Sequence, residues 1–318
     1  MGYAPSERLG IDLCGVGMVS PVVLAAGTAG VLGEMGDVMD ISMLGGIVGK
    51  SITREAREGN VFPRITFTRG GMLNAIGLAN PGLGVWESEI GPKVDGVGTN
   101  VIGSVAGDSV EEYVEIASAM DGVEGVKIIE LNVSCPNVHS GLEFGADPGA
   151  LGELVSAVRG VTGNTKVFVK LSPIVVGTPS TVVDLAKVAV DAGADGLVLC
   201  NTVPAMGIDV NTRRPVLSNV MGGMSGPAVH PIVVRLVHLV YRGIAGDAGV
   251  PILAVGGVSR WEDAAEFILA GASCVGIGAG SFADLRIPKK VVKGLDRWCL
   301  KQGVGSIGEL VGGVELGE

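Results

Sequence analysis

The chain has few aromatic residues, no closely spaced cysteine pair, no basic run and no long uninterrupted apolar stretch, and each absence excludes something. Aromatics make up 4% of the 318 residues while 47% are hydrophobic, so the core must be built from Val, Ile, Leu and Ala. The five cysteines, Cys14, Cys135, Cys200, Cys274 and Cys299, are odd in number and form no C-x-x-C pair. This argues against a disulfide scaffold, a zinc site or an iron–sulfur cluster within this chain, and makes a reducing cytoplasm the simplest compartment. A formal net charge of −10 with no basic run speaks against nucleic acid as a partner. Mean hydropathy is +0.50, yet no stretch reaches the roughly 18 uninterrupted apolar residues of a membrane span. The first residues, Met1 to Ser6, lack the hydrophobic stretch of a secretion signal. Gly2 and Ser6 fit the loose myristoylation pattern, but no polybasic segment follows to support an anchor.

Glycine is what the chain has in excess. Its 53 glycines far exceed the usual share of about 7% and show no collagen period. They cluster at the ends of apolar runs, where tight turns or close backbone approach to a ligand would need them. Those runs are short and β-branched: Val22–Ala26, Gly46–Lys50, Val101–Ala106, Ile128–Ser134, Val167–Leu171, Gly196–Asn201, Ile252–Val255 and Cys274–Gly278. Helical patterns lie between them, as at Val110–Met120, Leu151–Arg159, Thr181–Ala192, Pro231–Ile244 and Trp261–Ala270. Asp147-Pro148 reads as a helix start, and Gly193 and Gly271 as helix ends.

Strands alternating with helices imply a parallel sheet, and continuously apolar strands imply burial on both faces. Eight such units point to an α/β (β/α)8 TIM barrel. A doubly wound sheet is the alternative, but no G-x-G-x-x-G follows the first strand. No low-complexity linker divides residues 1–318, so a single domain is expected. Arg8–Pro21 reads as a short N-terminal hairpin closing the bottom, while Ile52–Ala75 and Ala205–Gly226 read as insertions at the C-terminal face, where barrel enzymes build their sites.

Polar residues gather at the same strand ends. Lys50 ends the second strand; Asn132, Ser134 and Cys135 end the fourth; Lys170 lies in the fifth; Asn201 and Thr202 end the sixth. A buried lysine or amide without a partner costs several kcal/mol, on the order of 2–7 for an amide, so this convergence suggests a ligand that pairs them. Gly256-Gly257 and Gly278-Ala279-Gly280 follow strands seven and eight, where barrels commonly hold phosphate on bare backbone N–H groups. A phosphate-bearing cofactor is the natural occupant; simple tight turns are the alternative.

The segment Glu130-Leu131-Asn132-Val133-Ser134-Cys135-Pro136-Asn137 resembles the signature of class 1 dihydroorotate dehydrogenases. So do Asn74-Ala75-Ile76-Gly77-Leu78 with Asn80-Pro81-Gly82, Val169-Lys170-Leu171-Ser172-Pro173, Ala194-Asp195-Gly196, Asn201-Thr202, Gly222-Gly223-Met224-Ser225-Gly226-Pro227 and Gly256-Gly257-Val258, in order through nearly the whole chain. The resemblance implies a TIM barrel with one FMN per chain at its C-terminal mouth, oxidising dihydroorotate to orotate in pyrimidine synthesis. Cys135 would be the base that removes the C5 proton while a hydride leaves C6 for flavin N5. A thiol with a reference pKa of about 8.5 suits that task when its site lowers it. The bland alternative is a buried structural cysteine. By resemblance, Lys50, Asn74, Ala75, Ile76, Gly77, Leu78, Asn132, Asn137, Asn201 and Thr202 would contact substrate. The cofactor would be held by Ala26, Lys50, Ser51, Ser104, Asn132, Lys170, Cys200, Gly226, Gly256, Gly257, Gly278 and Ala279. Amides both donate and accept, which suits a ring of alternating C=O and N–H groups.

Three flavin-side positions depart from the family pattern: Ala26 stands where serine is usual, Ser104 where asparagine is usual, and Cys200 where isoleucine is frequent. The first two remove or shorten a hydrogen-bonding side chain. Met72–Leu78, Phe144-Gly145 and Gly226–Val229 look most like the NAD-linked subclass B, whose catalytic chain forms a homodimer core and joins a second subunit carrying FAD and a 2Fe–2S cluster in a heterotetramer. The fumarate-linked homodimeric subclass A is the alternative. A dihydropyrimidine dehydrogenase-like enzyme acting on uracil or thymine is a further one, against which Asn137 speaks, since that family tends to have histidine there. A flavin-binding barrel without activity is the last, hinted at only by Ala26 and Ser104.

Overall fold

The computed structural model describes residues 3–134, 144–175 and 179–317. Eight parallel strands close into a barrel: β1 (Val22–Leu24), β2 (Gly46–Ile52), β3 (Asn100–Val105), β4 (Val126–Asn132), β5 (Lys166–Leu171), β6 (Gly196–Leu199), β7 (Ile252–Val255) and β8 (Cys274–Ile277). Each strand pairs with its sequence neighbours, and β8 closes on β1 through Val275 opposite Val22. The eight apolar runs of the sequence coincide one for one with these strands.

Alternate residues point to the barrel axis. Val23, Val48, Ile102, Ile128, Phe168, Val198, Leu253 and Cys274 fill the lower interior together with Leu13 and Met18. Those last two come from an antiparallel hairpin, Ile11–Leu13 with Val16–Met18, which plugs the N-terminal end as expected. Its turn uses left-handed backbone at Cys14 and Gly15, and the Gly15 N–H donates to Asp12 Oδ1 at 2.7 Å. Two residues above this apolar layer, Ser104, Glu130, Lys170 and Cys200 stand on β3, β4, β5 and the end of β6. The barrel interior therefore turns polar partway up, directly beneath the C-terminal mouth.

The outer helices are α1 (Val110–Asp121), α2 (Pro148–Arg159), α3 (Val182–Asp191), α4 (His230–Val240), α5 (Trp261–Ala270), α6 (Ala279–Ala283) and α7 (Ile287–Gln302). Asp147 caps α2 by accepting from the Gly149 and Ala150 N–H groups, and Gly193 and Gly271 adopt the positive φ expected beyond helix ends. The first two crossovers carry only short helical turns, at Glu34–Asp37 and Leu83–Gly96. Gly27, Gly30, Gly33 and Gly36 in the first of them account for its lack of a long helix. The helical stretch Pro227–Ala248 is long and apolar enough to cross a membrane by length and composition alone. Here Val233, Leu236, Val237 and Val240 bury its apolar side against the barrel.

The two insertions join into one structure. Val203–Met206, Met221–Ser225, Gly71–Asn74 and Ile65–Thr68 form a single four-stranded antiparallel sheet in that order. A two-stranded tip, Ile208–Asp209 with Arg214–Pro215, extends from it. The sheet brings Asn74 from the first insertion opposite Gly223 from the second, over the barrel mouth.

Candidate active site

Beneath that sheet lies a cavity of about 670 Å³, within the roughly 300–1,000 Å³ range of ligand pockets. Its floor is the polar layer of the barrel. Lys170 Nζ contacts Glu130 Oε1 at 3.3 Å, and the residues are only 7% and 1% exposed. Ser104 Oγ donates to the same Glu130 oxygen at 3.4 Å and shares a 2.8 Å hydrogen bond with Ser51 Oγ. Ser51 and Lys170 line the cavity, whereas Ser104 is fully buried behind them. Lys50, from the same strand as Ser51, enters the cavity with no hydrogen bond or ion pair among the described residues. Burial first, then the nearby charges of Arg64 and Lys170, hold its pKa below the ordinary lysine value.

The asparagines form the next tier. Asn201 Nδ2 donates to Ser134 Oγ at 2.9 Å and to Asn132 Oδ1 at 3.3 Å. Asn201 Oδ1 accepts from the Thr202 N–H at 2.8 Å. The buried Tyr113 hydroxyl fixes the end of β4 by donating to the Asn132 carbonyl at 2.7 Å. From the sheet above, Asn74, Ile76, Gly77 and Leu78 line the same cavity, with Gly77 and Leu78 both in left-handed backbone. A Cβ on Gly77 would lie 2.7 Å from the Asn60 backbone nitrogen, so no side chain fits there. Ala75 does not line the cavity; its N–H donates to the Arg64 carbonyl at 2.9 Å. Ala26, Cys200, Gly278 and Ala279 complete the wall. Cys200 is 3% exposed, and burial pushes its thiol up to about 12. Cys135 and Asn137 lie outside the described residues.

A narrower recess opens off the cavity through Cys200, Asn201, Thr202, Ser225, Gly278 and Ala279, and ends at Gly226, Gly256 and Gly257. Gly226 and Gly257 have φ of 103° and 73°, and a Cβ on Gly257 would meet the Gly226 carbonyl at 2.6 Å. The two backbones can touch because residue 257 carries no side chain. No charged side chain lines this recess among the described residues. An anion here would be held by main-chain N–H groups.

The cavity thus unites Lys50, Ser51, Asn74, Ile76, Gly77, Leu78, Asn132, Lys170, Asn201 and Thr202, which lie up to about 150 residues apart in the sequence. It also contains Arg57, Asn60 and Asp108, which sequence reasoning did not single out. Arg57 Nη2 donates to Asp108 Oδ2 at 2.6 Å and bridges the first insertion to the loop after β3. The available signal was an arginine and an asparagine inside an insertion already expected at the active face.

The family model described as dihydroorotate dehydrogenase matches residues 8–298. A Parabacteroides distasonis protein named dihydroorotate dehydrogenase B (NAD(+)), catalytic subunit, is 42% identical over 310 residues, covering 97% of this chain and 99% of its own. The same name is carried by a Shouchella clausii protein, 42% identical over 309 residues, covering 96% and 98%. An Aquifex aeolicus protein with the provisional name dihydroorotate dehydrogenase A (fumarate) is 43% identical over 305 residues, covering 96% and 97%. With matches of this extent, on a closed eight-stranded barrel whose polar residues converge at the C-terminal mouth, the chain belongs to the dihydroorotate dehydrogenase family.

Proposed function

We propose that this protein oxidises dihydroorotate to orotate in pyrimidine synthesis, with FMN at the barrel mouth and Cys135 as the base. The observation that carries this reading is the convergence of Lys50, Lys170, Asn132 and Asn201 on one cavity in a chain of this family.

The cavity fits FMN in size and in donor chemistry. The main-chain recess at Gly226, Gly256, Gly257, Gly278 and Ala279 suits a phosphate, and a Cβ on Gly278 would find no atom nearer than 3.9 Å, so the wall there is open. Ala26, Ser51 and Cys200 would border the ring system, and Lys170 would face its N1–O2 edge, where positive charge favours the reduced anionic form. Bound FMN would supply the two-electron acceptor. The chain's own residues do the rest. Asn132 and Asn201, held rigid by Tyr113 and Ser134, would grip the planar ring of the substrate with Asn74 and Asn137. Lys50 would meet the negative charge of substrate and cofactor, since it has no counter-ion among the described residues. Cys135 would take the C5 proton as the C6 hydride leaves. Thr202, Ile76, Gly77 and Leu78 would shut the ring away from water under the four-stranded sheet.

Electrons would leave as in subclass B, through a partner subunit carrying FAD and a 2Fe–2S cluster to NAD, from a homodimeric catalytic core in the cytoplasm. The B-type motifs and the names of the relatives in Parabacteroides and Shouchella support this. The Aquifex relative favours direct transfer to fumarate. Fumarate-dependent turnover by this chain alone would decide for the latter.

Anaerobic mixing with dihydroorotate, followed at the flavin absorbance, tests the central reading; bleaching is expected. No bleaching with dihydroorotate, together with reoxidation of reduced flavin by uracil, would move the protein to the dihydropyrimidine class. A protein that stays colourless after FMN addition would remove the flavin reading altogether.

A further inference from the structure

Among the described residues, Glu130 is the one acidic side chain in the polar layer of the barrel. It is 1% exposed, and it reaches the cavity only through its partners. Its Oε1 receives both the Lys170 ammonium at 3.3 Å and the Ser104 hydroxyl at 3.4 Å. Its Oε2 is buried with no hydrogen-bond partner among the described residues. The position follows from strand period: Ile128, Glu130 and Asn132 share the inward face of β4, so the residue two before a substrate-facing asparagine must point into the barrel. A leucine there would extend the apolar layer below. A carboxylate with half its acceptor capacity unmet is costly to bury, and breaking one partner from such a pair destabilises more than replacing both.

We infer that Glu130 is a positioning residue that sets the charge the flavin sees, so that the Glu130–Lys170 pair, rather than Lys170 as an isolated cation, fixes the flavin's potential. This rests on the FMN reading proposed above. The argument is electrostatic. A lysine alone on the cavity floor would place a full positive charge against the N1–O2 edge and would draw electrons strongly onto the flavin. A carboxylate 3.3 Å from its nitrogen offsets a substantial part of that field at the N1–O2 edge, and more of it further out. The pair lies in a poorly solvated barrel interior, so solvent screens it little. Ser104, hydrogen-bonded in turn to Ser51, gives the same carboxylate oxygen a second contact. The consequence is a flavin less oxidising than a lone lysine would make it, and so better able to pass electrons onward.

The test is the two-electron potential of bound FMN in three variants of the full chain. Glu130→Gln should raise it, binding reduced FMN about tenfold more tightly relative to oxidised, which converts to about 30 mV for a two-electron couple. Lys170→Met, which removes the nearer charge, should lower it by more. The double variant Glu130→Gln/Lys170→Met, in which both charges are gone, should lie above Lys170→Met and back towards the wild-type potential. It also keeps the inference testable if Glu130→Gln alone does not fold. A double variant as low as Lys170→Met would show that Glu130 does not reach the flavin and would overturn the inference. So would an unchanged or lowered potential in a folded, flavin-bound Glu130→Gln. Failure of wild-type protein to take up FMN is a separate outcome, which would sink the flavin reading before the pair is tested.

Discussion

Lys50 is the residue that says most about the chemistry the cavity is built to receive. Its ammonium is half-buried with no ion pair among the described residues, and desolvation with the fields of Arg64 and Lys170 lowers its pKa. For a lysine this means that the unfolded chain binds the proton more readily than the folded one. Stability of the apoprotein should therefore rise with pH between the lowered folded value and the ordinary 10.5. Lys50→Met should stabilise the ligand-free protein while weakening dihydroorotate binding at least tenfold, readable as a higher Tm with a higher KM. A lower Tm would show that Lys50 has a partner in the apoprotein after all. The cysteines give a second residue-level prediction. Burial lifts Cys200 to about 12 and Cys14 to about 11, and carries Cys274 higher still. Thiolate is the reactive form, so iodoacetamide at neutral pH should label Cys135 well before these three in native protein. Mass spectrometry of the alkylated chain would show it. Labelling of Cys200 at the rate of Cys135 would remove the distinction on which the base assignment leans. Cys135→Ala should keep FMN but lose flavin reduction by orders of magnitude in stopped flow.

The four-stranded sheet over the mouth is where element-level packing meets substrate binding. Met221–Ser225 pairs with Gly71–Asn74, and a Cβ on Gly222 would fall 2.3 Å from the Asn74 carbonyl and 2.7 Å from Leu217. Gly222→Ala should push the strands apart, costing about 1–3 kcal/mol of stability by overpacking. It should raise KM for dihydroorotate by displacing Asn74, while FMN affinity, held from below, changes little. Equal losses in both affinities would mean that the sheet and the floor are not separable. The same sheet marks the limit of what the sequence discloses. The eight barrel strands were legible because burial on both faces leaves an apolar run that needs no partner to be recognised. The pairing of two insertions some 150 residues apart leaves no local trace, so they read as separate insertions. The first two crossovers offered no named helix to the sequence reading, and in the first Gly27, Gly30, Gly33 and Gly36 carry a strong bias against one. At the site, Lys50, Lys170, Asn132 and Asn201 stood out as polar residues ending apolar strands. Glu130 was visible in the motif, but only inward alternation along β4 ties it to Lys170.

The whole molecule is one closed hydrogen-bonded barrel, and the strand that opens it, β1, is held in place by the strand that closes it, β8. Neither half can keep its inner face buried without the other, because Val23, Val48 and Cys274 belong to the same interior cluster as Phe168 and Val198. Thermal unfolding should therefore be a single transition by calorimetry and by circular dichroism alike. FMN would bridge the two sides of that closure, contacting β2 through Ser51, β5 through Lys170 and the turn after β8 through Gly278 and Ala279. A ligand bound only by the folded state at 100 times its Kd adds about 2.7 kcal/mol of stability. At the roughly 2–4 °C per kcal/mol typical of large single domains, the whole transition should move up by about 5–10 °C. The shift should grow with the logarithm of FMN concentration and should shrink in Lys170→Met, which removes a contact across the closure. Two transitions, only one of them moved by FMN, would mean that the barrel opens in halves and that the site lies within one of them.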